Sequence, residues 1–248
     1  MKLPVSDLKK GGKIWGVDFI DWRKSYVTKD EGIDCINVIY KKGSNSTDSQ
    51  MANGGVEIDF ATPGVLPSNT SASFGCRIKY PLNFDFTRGG KTGIGFAIGE
   101  GAASGGRRSM NASSARIVWR EEGSASLYVY VPKNLHQLHT ELDKSAFGDG
   151  WGVEFFLDVF KKGTLKCNVW NDLSIKVILN TFALDGTPNP DGICILKIND
   201  KAASLGGVCW LSSPESIQSV PLNTFFGGEE WYAAKDEPVL YTGFTISK

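Results

Sequence analysis

Five residues carry most of the chemistry that this sequence can do. Ser114 and Arg116 stand two positions apart, and Tyr128 and Tyr130 follow across a turn at Glu121-Glu122-Gly123-Ser124. Lys91 lies upstream in a run of small and apolar residues, Gly90-Lys91-Thr92-Gly93-Ile94-Gly95-Phe96-Ala97-Ile98. In an extended chain, alternate residues share a face. Arg clamps a carboxylate through a two-pronged fork. A Tyr near other cations can give or take a proton, because positive neighbours depress its pKa from about 10. These are parts for β-elimination on a uronic-acid chain. That reaction needs a cation on the carboxylate to stabilise an enolate-like intermediate. It also needs a base for the C5 proton and an acid for the leaving O4. In mannuronate and glucuronate the proton and the oxygen lie on the same side of the ring, so groups on one protein face suffice. Chemistry of this kind requires no metal.

The elements that must position these residues are strands. Ala115, Ile117 and Trp119 alternate with Ser114, Arg116 and Arg120, and Leu127, Val129 and Val131 alternate with Tyr128 and Tyr130. This predicts a hairpin with one apolar core face and one polar face. Along 91–98, Thr92, Ile94, Phe96 and Ile98 read as core. Lys91 then falls on the polar face with Gly93, Gly95 and Ala97, where a low surface lets a bulky chain lie close. Further strands are predicted at 56–60, 76–80 and 193–198, the last ending in Asn199-Asp200. Runs at 152–160 and 165–170 flank a turn at 161–163. The segment 41–73 reads as long loops around 56–60. Gly99-Glu100-Gly101 reads as a mobile loop. The one helical candidate is short, with Leu135, Leu138 and Leu142 at helical spacing. Many short strands with Gly and Pro punctuation imply an all-β sandwich or jelly roll of two antiparallel sheets.

Length and composition agree. The 248 residues include 29 Gly, and 11% are aromatic, which suits turn-rich β structure. They read as a single domain, 1–248, with 1–33 as an N-terminal extension packed on it. No apolar run reaches the ~18 residues of a membrane span, and the first ten residues have no apolar stretch of signal-peptide length. Net charge is zero, yet eight bases and two acids between Cys76 and Arg120 leave that segment at +6. Such an excess points to an anionic partner. It makes Arg77, Lys79, Arg107 and Arg120 candidate substrate-binding residues, and His136 joins them from the loop after Tyr130. Nucleic acid would use the same charge, but its reading motifs are absent. Gly90-Lys91-Thr92 lacks the upstream Gly of a phosphate loop, since Asp85 stands there. His136 and His139 have no accompanying carboxylate motif, so neither a metal nor a cofactor is expected. Ser114 has no His or Asp at suggestive spacing, so an orienting hydrogen bond is its expected role. Of the three sequons, at Asn45, Asn69 and Asn111, the last falls beside the proposed site, where a glycan would obstruct it; this argues against a glycosylating compartment. None of the five Cys sits in a C-x-x-C pair. At most two disulfides can form, and buried free thiols fit equally well.

Several motifs together resemble polysaccharide lyase family 14. They are Gly89-Gly90-Lys91, Ser104-Gly105-Gly106-Arg107, Ser114-Ala115-Arg116 with Trp119-Arg120, Tyr128-Val129-Tyr130, Asp191-Gly192 and Asn223-Thr224-Phe225-Phe226-Gly227-Gly228. The resemblance runs from about Asp34 to the end. It implies a jelly roll with its site on a concave face, and catalytic roles for Lys91, Ser114, Arg116, Tyr128 and Tyr130. It further implies cleavage of an acidic polysaccharide, polyglucuronate or mannuronate-rich alginate, into unsaturated oligouronates. The expected setting is a monomer outside a cell or on a virion, acting on a cell wall. One departure is Thr92-Gly93-Ile94, where the family often has Leu-Pro-Gly. The competing reading is a non-catalytic carbohydrate-binding jelly roll. Such modules favour exposed Trp platforms, whereas this face carries cations and Tyr.

Overall fold

Apolar residues at alternate positions can be buried together only if their strands pair in register, and the registers here do this throughout. The computed structural model describes residues 1–45, 54–66, 69–133, 135–145, 150–228 and 230–248. One antiparallel sheet runs in the order β1 (Val17–Asp21), β4 (Glu57–Phe60), β15 (Ile217–Asn223), β6 (Gly90–Glu100), β9 (Asn111–Trp119), β10 (Ala125–Tyr130) and β11 (Val153–Phe155). Its eighth strand, β16 (Phe225–Phe226), also pairs with β6. The second sheet runs β14 (Lys201–Val208), β13 (Gly192–Ile198), β12 (Trp170–Ile178), β5 (Ser71–Lys79), β17 (Glu237–Ser247), β3 (Ile33–Tyr40) and β2 (Tyr26–Asp30). A small hairpin, β7 (Ala103–Ser104) with β8 (Arg107–Arg108), stands apart from both. Among the described residues, helix is confined to the short α1 (Val5–Leu8) and α2 (Thr140–Asp143) and one 3-10 turn, Glu121–Gly123.

The core lies between the two sheets. Ile94, Phe96 and Ile98 of β6, Ala115, Ile117 and Trp119 of β9, and Leu127 and Val129 of β10 face Phe74 and Ile78 of β5 and Ile175 and Val177 of β12. All are buried, and each large apolar side chain removed from water contributes roughly 1.5–3 kcal/mol. Trp119 is the centre of an aromatic cluster, with Tyr40, Phe84 and Phe226 at 5.5, 5.8 and 6.1 Å. Residues 1–33 are woven into this architecture. They supply an edge strand to each sheet, and Trp15 packs between Phe60 and Phe244 at 4.9 and 4.8 Å.

Four local expectations are corrected. Of the run 152–160 only Val153–Phe155 is strand. Phe156 takes φ 73°, and the chain beyond it forms tight turns, with Phe160 N donating to Phe156 O, and bonds to the β9–β10 turn: Ala125 N donates to Phe160 O, Gly163 N to Glu122 O and Leu165 N to Gly123 O. The run 165–170 is therefore no strand, and β12 begins only at Trp170. Gly99 and Glu100 close β6 and belong to no loop. Helix at the leucine trio shrinks to Thr140–Asp143, burying Leu142 and leaving Leu138 exposed. Within 41–73, residues 46–53 and 67–68 lie outside the described residues.

Candidate active site

The outward face of the eight-stranded sheet collects the residues singled out above. Arg116 lies opposite Tyr128 and Ser114 opposite Tyr130 across β9–β10. On the other flank, Gly95 is opposite Arg116 and Ala97 opposite Ser114. The glycine is required there: a Cβ on Gly95 would stand 2.4 Å from Ala115 O and 2.8 Å from Arg116 Cγ, so the arginine side chain crosses bare backbone. Lys91 pairs with Val118 on one side and Phe225 on the other. Between Lys91 and Gly95 the ladder with β9 bulges. Gly93 takes φ 82°, and Thr92 Oγ1 donates to Ile117 O at 2.7 Å. The tripeptide that departs from the family pattern is this bulge, and it sets the angle at which Lys91 reaches the face.

Electrostatics distinguish these groups. Lys91 Nζ lies 5.4 Å from the Tyr128 ring centroid and 5.0 Å from that of Phe225. Burial, then Arg116 and Arg120, push its pKa down to about 7. Burial also lowers the Arg116 pKa, while Tyr130, Asp59, Tyr128 and Glu57 oppose that shift, and its Nε has no acceptor among the described residues. The two tyrosine hydroxyls lie 3.4 Å apart, with their rings edge to face at 5.4 Å. Gly106 N donates to Tyr130 Oη at 3.2 Å. The expectation that cations depress the tyrosines is corrected for Tyr128: burial, with the hydrogen bond to Tyr130 second, raises its pKa. The near-neutral group is the lysine. Ser114 makes its hydrogen bond within the protein. It is buried, and its Oγ donates to Ala103 O at 2.7 Å, tying the β7–β8 hairpin to the sheet.

The remaining candidates divide. Arg107 is exposed on that hairpin and, with Ser104, Ser114 and Arg116, lines a cavity of about 200 Å³. Arg120 is on the face but is held by Glu154. Arg77 and Lys79 are not brought here, because β5 belongs to the other sheet. They project from its outer surface, paired with Asp172 at 3.2 Å and Asp30 at 3.0 Å, and both lie against Trp170. His136 is exposed in the segment after β10, outside either sheet. Arg108 is buried and structural, donating to Val131 O and Ser145 Oγ. Asn111 Oδ1 is occupied as well, accepting from Ser212 N at 2.8 Å. Sequence reasoning missed Glu154, which lies opposite Tyr128 on β11. Its alternation with Val153 and Phe155 was a signal, but nothing local said which strand would pair with it. It also missed the polar end of the face, where Glu57 accepts from Arg23 and Asn223. Among the described residues no three His, Cys, Asp or Glu side chains are grouped to hold a metal ion.

Comparison with known proteins follows the same outline. The family model for polysaccharide lyase 14 matches residues 28–244. The chain is 36% identical to alginate lyase vAL-1 from Chlorella virus, with a TM-score of 0.91, over 100% of this chain and 98% of that one. It is 21% identical to the PL-14 alginate lyase from Aplysia kurodai, with a TM-score of 0.74, over 96% of this chain and 92% of that one. Alginate lyase Aly36B matches at 20% identity and a TM-score of 0.70, over 100% of this chain and 93% of that one. The last two likenesses show the jelly-roll fold. No curated protein matches the chain. The family match spans both sheets and takes in Lys91, the β9–β10 hairpin and Asn223–Gly228 alike, and the chain belongs to polysaccharide lyase family 14.

Proposed function

We propose that this lyase cleaves polyglucuronate and mannuronate-rich alginate by syn β-elimination, with Lys91 as base, Tyr128 as acid and Arg116 on the uronate carboxylate. The observation that carries the reading is one of placement. An amine with a pKa near 7, a half-buried guanidinium with an unused donor and two adjoining phenols share one face of one sheet. A base works best when its pKa lies near the working pH. Lys91 Nζ removes the C5 proton while Tyr128 donates to O4. The C4–O4 bond breaks and the C4–C5 double bond forms. Arg116 holds the carboxylate as charge builds on it. The new ammonium of Lys91 returns its proton to the phenolate of Tyr128 and resets the site. Tyr130 orients the Tyr128 hydroxyl. A base and an acid on one side match sugars whose proton and leaving oxygen share that side. Guluronate presents them on opposite sides.

The test is the ultraviolet absorbance of the unsaturated product, followed on polyglucuronate, polymannuronate and polyguluronate. The first two are expected to react, with the rate rising as pH passes through about 7. Clear preference for polyguluronate, or a rate profile peaking below pH 6, would overturn the reading.

A further inference from the structure

Arg120 has the type and position of a substrate-binding cation, yet its hydrogen bonds are used within the protein. Its Nε lies 2.9 and 3.0 Å from the two oxygens of Glu154, its Nη2 also donates to Glu154, and its Nη1 reaches Trp119 O at 3.3 Å. Glu154 is anchored in turn, because Ser126 Oγ donates to its Oε2 at 2.9 Å. Both side chains are about three-quarters buried, 23% and 26% exposed. Gly89 makes the room: a Cβ there would stand 2.4 Å from Arg120 Nη1. Two residues further on is Lys91.

We propose that Glu154 is a positioning residue of the active site, which through Arg120 fixes a second cation beside Lys91 and keeps that cation off the substrate. The proposal rests on Lys91 being the base. A partly buried ion pair adds little to fold stability, since well-packed apolar residues serve as well. Its main effect is the field it sets at Lys91. Arg116 of β9 and Arg120, which follows that strand, act on the amine directly, the Tyr128 ring of β10 lies against it, and Tyr130 of the same strand and Glu154 of β11 stand beside Tyr128. Glu57 and Asp59 of β4 act on it through Arg116, and β16 offers only the Phe225 ring. Removing the Glu154 charge disfavours the ammonium, whereas removing Arg120 favours it.

Glu154→Gln and Arg120→Met therefore shift Lys91 in opposite directions, which a merely structural pair would not do. The experiment is a carbon-13 NMR titration of lysine Cε, with the Lys91 resonance assigned by its loss in Lys91→Met, run beside the pH dependence of kcat. Glu154→Gln is expected to lower the Lys91 midpoint and Arg120→Met to raise it, each by roughly half a pH unit or more. The rising limb of kcat should follow, with KM changing less. A Lys91 titration unmoved by either change would overturn the proposal. A titration that moves while the kcat limb stays fixed would show the electrostatic link but remove Lys91 as base, and so overturn Glu154 as a positioning residue for catalysis. Should Arg120→Met fail to fold, the near-isosteric Glu154→Gln decides alone. Arg120→Lys, which keeps the charge and loses the fork, should leave the Lys91 midpoint near that of the parent and lower kcat.

Discussion

Lys91, the base of the proposed reaction, carries a cost to the fold. Its folded pKa is about 7 against an ordinary 10.5. The unfolded chain therefore holds more protons between those values, and stability rises with pH across that window. Below pH 7 the full cost of burying the ammonium is borne. Lys91→Met should abolish turnover and raise Tm, with a larger gain at pH 6 than at pH 9; an equal gain at both would show that the amine is not held near neutrality. Arg116→Ala should lower kcat/KM by about 10²–10³-fold, the scale of removing one charge-stabilising donor. Tyr128→Phe should lower kcat with KM nearly unchanged, because the proton that the proposed mechanism takes from it is needed only in the transition state. Michaelis–Menten parameters on polymannuronate check both.

At the scale of elements, three glycines and one serine decide how strands present these side chains. Gly95 lets Arg116 lie across β6, and Gly90 gives way to the Trp119 ring, which an added Cβ would meet at 2.0 Å. Gly95→Ala should therefore push Arg116 off its bed, losing turnover together with roughly 1–3 kcal/mol of stability. Activity loss with an unchanged melting curve would contradict the steric account. Gly89 leaves space for the Arg120 guanidinium. Ser114 anchors the β7–β8 hairpin through Ala103 O, and the same hairpin reaches Tyr130 through Gly106 N. Ser114→Ala should cost about 1 kcal/mol and disturb activity less than Arg116→Ala, because it loosens the hairpin and leaves the charges in place. Denaturant unfolding and kcat measured together separate the two effects.

At the scale of the molecule, stability comes from apolar packing between the two sheets. All five cysteines are free. Cys35, Cys76, Cys194 and Cys209 are buried, and burial pushes the thiol pKa of Cys76 and Cys194 well up, so neither offers a thiolate. Adding a reductant should leave Tm unchanged, and thiol-reactive reagents should label Cys76 and Cys194 only after unfolding. A reductant-dependent fall in Tm would point to a crosslink that this packing does not contain. The basic segment also reads differently once folded. Arg77 and Lys79 face out from the other sheet, Arg108 is internal, and Arg120 is neutralised by Glu154. The +6 of the segment is thus spread over both sides of the sandwich, and what reaches the active face is chiefly Lys91, Arg116 and Arg107.

The sequence by itself determined the strand faces. Alternation around Ile117 and Val129 placed Arg116, Tyr128 and Tyr130 together, because a period of two leaves a side chain no other face once its neighbours are buried. The family was legible for the same reason: its motifs are local, and each keeps its chemistry within a few residues. Beyond the β9–β10 hairpin, tertiary structure alone decided which strands pair. That put β5 in the opposite sheet and removed Arg77 and Lys79 from the site. It brought Glu154 across from Tyr128, and it joined Asn223–Gly228 to Gly89-Gly90-Lys91, with Phe225 opposite Lys91 and Gly227 N bonded to Gly89 O at 2.7 Å. It also decided the opposite pKa shifts of Lys91 and Tyr128. Desolvation penalises whichever form is charged, so burial lowers an amine and raises a phenol, and how deeply each is buried depends on strands more than a hundred residues away.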